Sequence, residues 1–318
     1  MMAAEVPEIY TERAADRLIL GRVTRLTRRY APALAVFVLV ILLWEWAFHY
    51  FQIGSFLLRP PSSIARKFVE LCPPASLGPG FANAAMTFVS GLVQPSRWSR
   101  LGLDVYGAMG DCTLFGRGLY TFMEAIGGYI IGCGLGLLVG LSIARWPAAS
   151  RLIMPYAIAT NSIPIIALSP IMTVWFGIEQ GSKVAIVAVM TFFPMLLSTI
   201  RGVNSADRAS LDLMRSYAAS ELEVFFKLRL PTALPFMFSA LKVATTLSMI
   251  GAVVAEFFGG FTKALGVYIK SEASLLHLDE AWAAIIVACI LGIAFYWVIA
   301  LIERLALPWH VSFRTEDG

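Results

Sequence analysis

Charge is scarce in this chain. Of its 318 residues 14% are charged and 58% hydrophobic, and the mean hydropathy is +0.74. Soluble domains carry about 25% charged residues, so a water-exposed globule is excluded. Histidine is rarer still. His49, His277 and His310 stand far apart, and no metal-ligand cluster can be built from them in sequence. Catalytic motifs are missing as well: there is no Walker A sequence, no H-E-x-x-H and no G-x-S-x-G. The chain has no means of hydrolysing ATP by itself, and no catalytic residue or metal ligand is assigned. Cysteine is also sparse. Cys133 and Cys289 fall within apolar runs and read as packing residues. Cys72 and Cys112 lie in a Gly- and Pro-rich stretch, where two free thiols and an oxidised pair both remain open.

Long apolar runs dominate. A helix needs roughly 20 apolar residues to cross about 30 Å of hydrocarbon. Six segments qualify: Tyr30–Tyr50, Leu119–Ala144, Leu152–Phe176, Val184–Ile200, Leu234–Phe258 and Ala281–Leu301. The expected fold is all-α, a polytopic membrane bundle of six transmembrane helices. Residues 1–29 form a tail, 30–50 the first span and 51–118 a loop carrying a surface helix over Ser62–Leu71. Residues 119–302 form a five-span core that includes a polar segment at 203–230, and 303–318 form a second tail. Phe81–Val93 is apolar but short, which suits an interfacial or loop-packed helix. The surrounding stretch 72–117, rich in Pro, Gly and Ser, reads as an external excursion. The Arg-rich N-terminus precedes a full-length span with no small-residue cleavage site, so it does not read as a signal peptide.

Lys and Arg set the orientation. Fifteen lie on the side of the termini and of 203–230, against nine on the other, six of those in one long loop where the rule is weak. Both termini and the 203–230 segment are therefore expected in the cytoplasm, with the chain in a bacterial inner membrane.

Within the spans, Gly128, Gly132, Gly136 and Gly140 recur every four residues and permit close helix approach, for packing or for sliding. The third span holds Asn161, Ser162, Pro164, Ser169 and Pro170. Prolines free backbone groups that only protein or a wet cavity can satisfy, which fits a pathway-lining helix or a kinked packing helix. With Thr245, Thr246 and Ser248 of the fifth span, Asn161, Ser162 and Ser169 are the candidate substrate-pathway side chains. Lys242 is the intramembrane charge hardest to dismiss. Glu45, Glu124 and Glu256 lie toward span ends, where snorkelling serves. No obvious acid pair at the midplane supports a proton-coupled carrier.

The segment 203–235, VNSADRASLDLMRSYAASELEVFFKLRLPTALP, is a charged, helix-patterned island between two apolar runs. Leu211, Met214, Ala218 and Leu222 share one helical face. Ser220 and Glu223 have capping-box spacing, so a second short helix starts at 221. Val224, Phe225 and Leu228 give it an apolar face, and the adjacent Phe225 and Phe226 call for burial. Pro231 and Pro235 punctuate the start of the next span. The residues fit either a solvated loop on lipid headgroups or a helix–turn–helix knob inserted into another protein.

The island resembles the cytoplasmic loop of binding-protein-dependent ATP-binding-cassette permeases. That loop reads E-A-A, three residues, Gly, nine residues, Ile, one residue, Leu-Pro. With Leu230-Pro231 as anchor, Leu228 takes the Ile place, Ala218 the Gly place and Asp212-Leu213-Met214 the E-A-A place. Asp for Glu, Leu-Met for Ala-Ala and Ala for Gly are departures. Left-handed Ala costs about 1 kcal/mol, so the turn is expected to be more helical or displaced toward Ser220. TFMEAIGGYIIG, NSIPIIALSPIMTVWFG and ALKVATTLSMIGAVVAEFFGG extend the resemblance over 119–314, toward permeases for nitrate, taurine, sulfonates and pyrimidine or vitamin precursors.

The resemblance implies a type I importer fold, acting as a homodimer with ATP-binding-cassette ATPase subunits and a solute-binding protein. ATP and Mg are used by the ATPase, and nothing is bound as a cofactor by this chain. Asp212, Met214, Tyr217, Ala218, Ser220, Phe225, Leu230 and Pro231 are implied as the ATPase-coupling residues. Membrane lipid is a partner and nucleic acid is not. A gradient-driven secondary carrier and a purely structural membrane subunit are the alternative readings.

Overall fold

A computed structural model describes residues 31–32, 35–51, 59–92, 100–260 and 262–308. The sequence expectations for residues 1–29 and 309–318 lie outside these. Every regular element among the described residues is helical. Residues 1–65 and 66–318 form separate units.

In the first unit, α1 (Ala35–Tyr50) is an apolar helix shorter than a full span. At its end Glu45 accepts from the Ser62 hydroxyl at 2.8 Å and from the Ser62 N–H at 3.2 Å. This ties α1 to the start of α2 (Pro61–Leu71), the amphipathic helix expected over 62–71, with Pro61 in its first turn.

The 72–117 stretch is largely helical, and the short helix expected over Phe81–Val93 lies within it. It folds into α3 (Pro74–Leu92) and α4 (Leu101–Ala108), and the long helix α5 begins already at Thr113. Pro74 opens α3, where its missing N–H has no intrahelical role, and Pro79 is absorbed within it. Cys72 and Cys112 are joined by a disulfide, their Cα atoms 4.2 Å apart, which closes this helical excursion at its base.

Four helices among the described residues are long and apolar enough to cross a membrane: α5 (Thr113–Ala144), α8 (Gln180–Val203), a helix running from Glu221 to Glu256, and α13 (Leu278–Ala306). The expected third span, 152–176, is broken into α6 (Pro147–Asn161), a 3-10 turn at Ile165–Leu168, and α7 (Ser169–Phe176). Pro164 and Pro170 have no N–H to continue the ladder, and the break falls between them. Among the described residues four continuous helices, rather than six, are long and apolar enough to cross.

The core is the packing of α5 on α8, and its cause is the glycine stripe. A Cβ on Gly136 would lie 2.6 Å from the Phe192 carbonyl oxygen, and one on Gly140 2.7 Å from Thr199 Cβ. Any larger residue would part the helices, so the stripe is a packing device. The helix α11 (Leu230–Glu256) lies against both, burying Ala233, Ala240 and Ala244 around Met195 and Tyr129. Phe295 of α13 closes this cluster, edge-on to Phe122 and Tyr129. Between α11 and α13 lies the short helix α12 (Leu265–Ser274). Asp279 and Glu280 in the first turn of α13 and Arg304 in its last complement the helix dipole.

Candidate functional site

The island at 203–230 is the most structured polar feature. Asp207 caps α9 (Arg208–Ser216), accepting from the Ser210 N–H at 3.4 Å. The helix then stops at a left-handed residue, Ala218, with φ 52°. The Ala219 N–H reaches back to the Met214 carbonyl at 3.1 Å, satisfying an otherwise free helix end. The turn is thus neither more helical nor displaced toward Ser220. Ala218 occupies the place and the conformation expected of glycine.

Ser220 then starts α10 (Glu221–Val224). The reciprocal capping box is complete, with Ser220 N–H to Glu223 at 3.0 Å and Glu223 N–H to Ser220 Oγ at 3.3 Å. The helix continues into α11 through a π-helical turn at Phe225–Arg229, in which the Leu230 N–H bonds to the Phe225 carbonyl. Pro231 cannot donate to the carbonyl four residues back, and its ring crowds that turn, so the wider turn is the local solution. Pro231 and Pro235 therefore sit inside one continuous helix from Glu221 to Glu256 and do not separate island from span.

The two short helices present an exposed apex. Tyr217 is 78% exposed, Leu213 and Leu222 are exposed beside it, and Asp212 pairs with Arg215 at 3.2 Å on the surface. Ala218 and Ser220 are exposed too, while Met214, Phe225, Leu230 and Pro231 are half-buried at its base. Of the two phenylalanines, this chain's own bundle covers one, Phe225. Phe226 is 61% exposed, its ring edge-on to Phe225. Leu213, Leu222 and Phe226, read in sequence for their pattern, join the exposed surface although they were not named among the coupling residues.

The pathway candidates are dispersed. Thr245 and Ser248 are fully buried and bond back to their own helix, to the Lys242 and Thr245 carbonyls at 2.7 and 2.8 Å. Ser169 is buried and donates to the Ala255 carbonyl at 3.4 Å, tying α7 to α11. Ser162 is exposed at the break after α6 and bonds to Ile158. Asn161 ends α6, and its side chain lies outside what is described. Thr246 alone of the six lines a cavity, of about 440 Å³, with Ser239, Lys242 and Tyr296. Lys242 is held there by Glu303 of α13 at 2.7 Å, a partner invisible in sequence because 61 positions separate them.

At the opposite end of the bundle from the island lies a cluster that sequence reasoning missed. Glu124 of α5 and Glu256 of α11 are only 3% and 1% exposed. They do not snorkel: their carboxyls lie near each other, with Lys183 of α8 close enough to interact with both. Glu256 also accepts from the Thr121 hydroxyl at 2.7 Å and from the Gly266 N–H at 2.6 Å. Thr121 in turn accepts from the Leu265 N–H at 2.9 Å. Glu124 Oε2 has no partner among the described residues. The pair lies toward the helix ends rather than at the midplane, assembled from helices more than 130 positions apart. Lys183 was overlooked because a lysine flanking an apolar run usually reaches for water.

The described residues thus present a helical bundle with an ordered polar knob at one end. Residues 132–307 match the family described as binding-protein-dependent transport system inner membrane component, and the chain belongs to that family. It is a permease component. It is 32% identical over 183 residues to the formylaminopyrimidine transport permease protein ThiX of Halalkalibacterium halodurans, covering 58% of this chain and 73% of that protein. It is 24% identical over 286 residues to the taurine transport system permease protein TauC of Escherichia coli, covering 90% and 92%. The putative aliphatic sulfonates transport permease protein SsuC of Bacillus subtilis is 26% identical over 201 residues, covering 63% and 72%.

Proposed function

We propose that this chain forms, as a homodimer, the translocation pathway of an ATP-driven importer. The cargo is a small polar solute, such as a pyrimidine or vitamin precursor, a sulfonate or nitrate, handed over by a solute-binding protein. ATPase subunits use ATP and Mg, and this chain binds neither. One observation carries the reading. The island is a rigid, capped helix–turn–helix whose exposed apex, Leu213 to Ser220, is joined without a break to the span α11. A push on the apex therefore reaches the bundle interior along one helix axis. Asp212, Tyr217, Ala218 and Ser220 make the contact, and Phe225, Leu230 and Pro231 transmit it.

The pathway runs along α11 and the α6–α7 break, with Thr246 as its best-placed polar side chain. The island side is cytoplasmic, as are both termini, in a bacterial inner membrane. The Cys72–Cys112 disulfide supports this orientation, because disulfides persist on the oxidising side of such a membrane.

The test is Ala218→Arg in the full chain expressed with its ATPase. Uptake and ATPase co-purification should be lost while membrane insertion is kept. Normal uptake with normal co-purification would remove the island from the coupling role.

A further inference from the structure

A second polar cavity, of about 500 Å³, opens beside the island. That is within the range of small-ligand pockets, about 300–1,000 Å³. Its walls come from the C-terminal end of α5 and from the π-helical turn that runs into α11. Arg145 is the first residue after α5, and Arg229 is the last before α11. Both side chains line the cavity, and no ion pair among the described residues engages either guanidinium. Trp146, 60% exposed, stands at the rim. Leu141 and Phe225 form the floor and pack onto the bundle core.

The level of this cavity decides its ligand. Residues that end an apolar span lie where hydrocarbon gives way to headgroups, and an exposed tryptophan beside them marks that boundary. The anionic group that abounds at that depth is the lipid phosphodiester. Arginine's planar fork suits it, donating two parallel N–H bonds to phosphate oxygens. Below the two guanidiniums, Leu141 and Phe225 offer apolar surface for the start of an acyl chain. Glu221, on the opposite wall, accepts hydrogen bonds from a hydroxyl or ammonium further out on the head group.

We propose that this cavity holds the head group of an anionic glycerophospholipid, its phosphodiester between Arg145 and Arg229. The site needs only that the spans lie in a bilayer, so it stands or falls separately from the coupling reading.

Native mass spectrometry of the full chain in mild detergent tests it, with titration of phosphatidylglycerol, phosphatidylcholine and inorganic phosphate. One phosphatidylglycerol per chain should be retained in preference to phosphatidylcholine, and millimolar inorganic phosphate should not displace it. Arg145→Gln and Arg229→Gln should each weaken retention roughly fivefold, the effect of one basic residue at a lipid surface. Arg→Lys at both positions should keep the preference for the anionic lipid. Trp146→Ala, which alters only an exposed ring, should lower retention with helicity unchanged, and so gives a reading if the glutamine variants do not fold. Equal retention of both lipids, or retention unaffected by the variants, would overturn the site. Displacement by inorganic phosphate would make it a soluble-anion site instead. Displacement of the lipid by bound ATPase would assign the cavity to that protein and also overturn the proposal.

Discussion

At the scale of single residues, Ala218 pays for its position. A left-handed alanine crowds its Cβ against the backbone, at about 1 kcal/mol, and glycine does not. Ala218→Gly should therefore stabilise the island by about 1 kcal/mol, less whatever flexibility glycine adds to the unfolded chain. Hydrogen exchange of the amides from 217 to 220 measures this: exchange should slow, with uptake retained. Faster exchange would mean the turn is held by something other than backbone geometry. Glu256 presents the opposite case, a side chain whose loss strands its partners. Removing it leaves the Gly266 N–H and the Thr121 hydroxyl without their acceptor. Each unsatisfied buried group costs about 1–3 kcal/mol. Glu256→Ala should lower the thermal midpoint in detergent well below that of Glu256→Gln, which keeps an acceptor oxygen. Equal midpoints would show that the cluster does not pin α11 to the turn before α12.

At the scale of elements, what is local was legible and what is distant was not. The island could be read because its determinants sit within one short segment: Ser220 three residues before Glu223, and Ala218 ten residues before Leu228 and twelve before Leu230-Pro231. The helices α5, α8, α11 and α13 could be read from their apolar runs. The α6–α7 break was masked, since hydropathy counts apolar atoms and ignores the N–H groups missing at Pro164 and Pro170. The apolar part of α3 was legible over Phe81–Val93, but its start at Pro74 and the whole of α4 were hidden by Gly and Pro, which signal loops even when Pro74 merely starts a helix. Glu124, Glu256 and Lys183 meet only through the folded bundle, and no periodicity announces that. The glycine stripe gives this scale its prediction. Gly136→Leu puts a side chain where only 2.6 Å separates a Cβ from the Phe192 carbonyl oxygen. Overpacking costs about 1–3 kcal/mol in soluble cores. Loss of monodisperse protein or a sharply lower thermal midpoint is expected, whereas Gly134→Leu, at a position with nothing within 4 Å, should be tolerated. Comparable damage at both positions would argue against α5–α8 packing as the core.

At the scale of the whole molecule, the open question of crossing number has a definite test. Between Arg100 and Asn204 lie α5, the broken α6–α7 segment and α8. If the broken segment crosses, three crossings separate the two positions, and they face opposite compartments. If it dips in and returns, two crossings separate them, and they face the same one. Its two pieces are 15 and 8 residues joined by a 4-residue 3-10 turn, enough length to traverse about 30 Å when laid end to end. Crossing is therefore the expectation. Only Cys133 and Cys289 need replacement beforehand, because Cys72 and Cys112 are already joined. Arg100→Cys should then react with an impermeant maleimide added outside intact cells, and Asn204→Cys only after the cells are opened. Leaving the disulfide in place keeps the α3–α4 excursion folded during labelling. Labelling of both positions from one side would show that the α6–α7 segment is re-entrant. That result would place the island and the Cys72–Cys112 bridge in the same compartment, where a reducing cytoplasm and a lasting disulfide could not both hold.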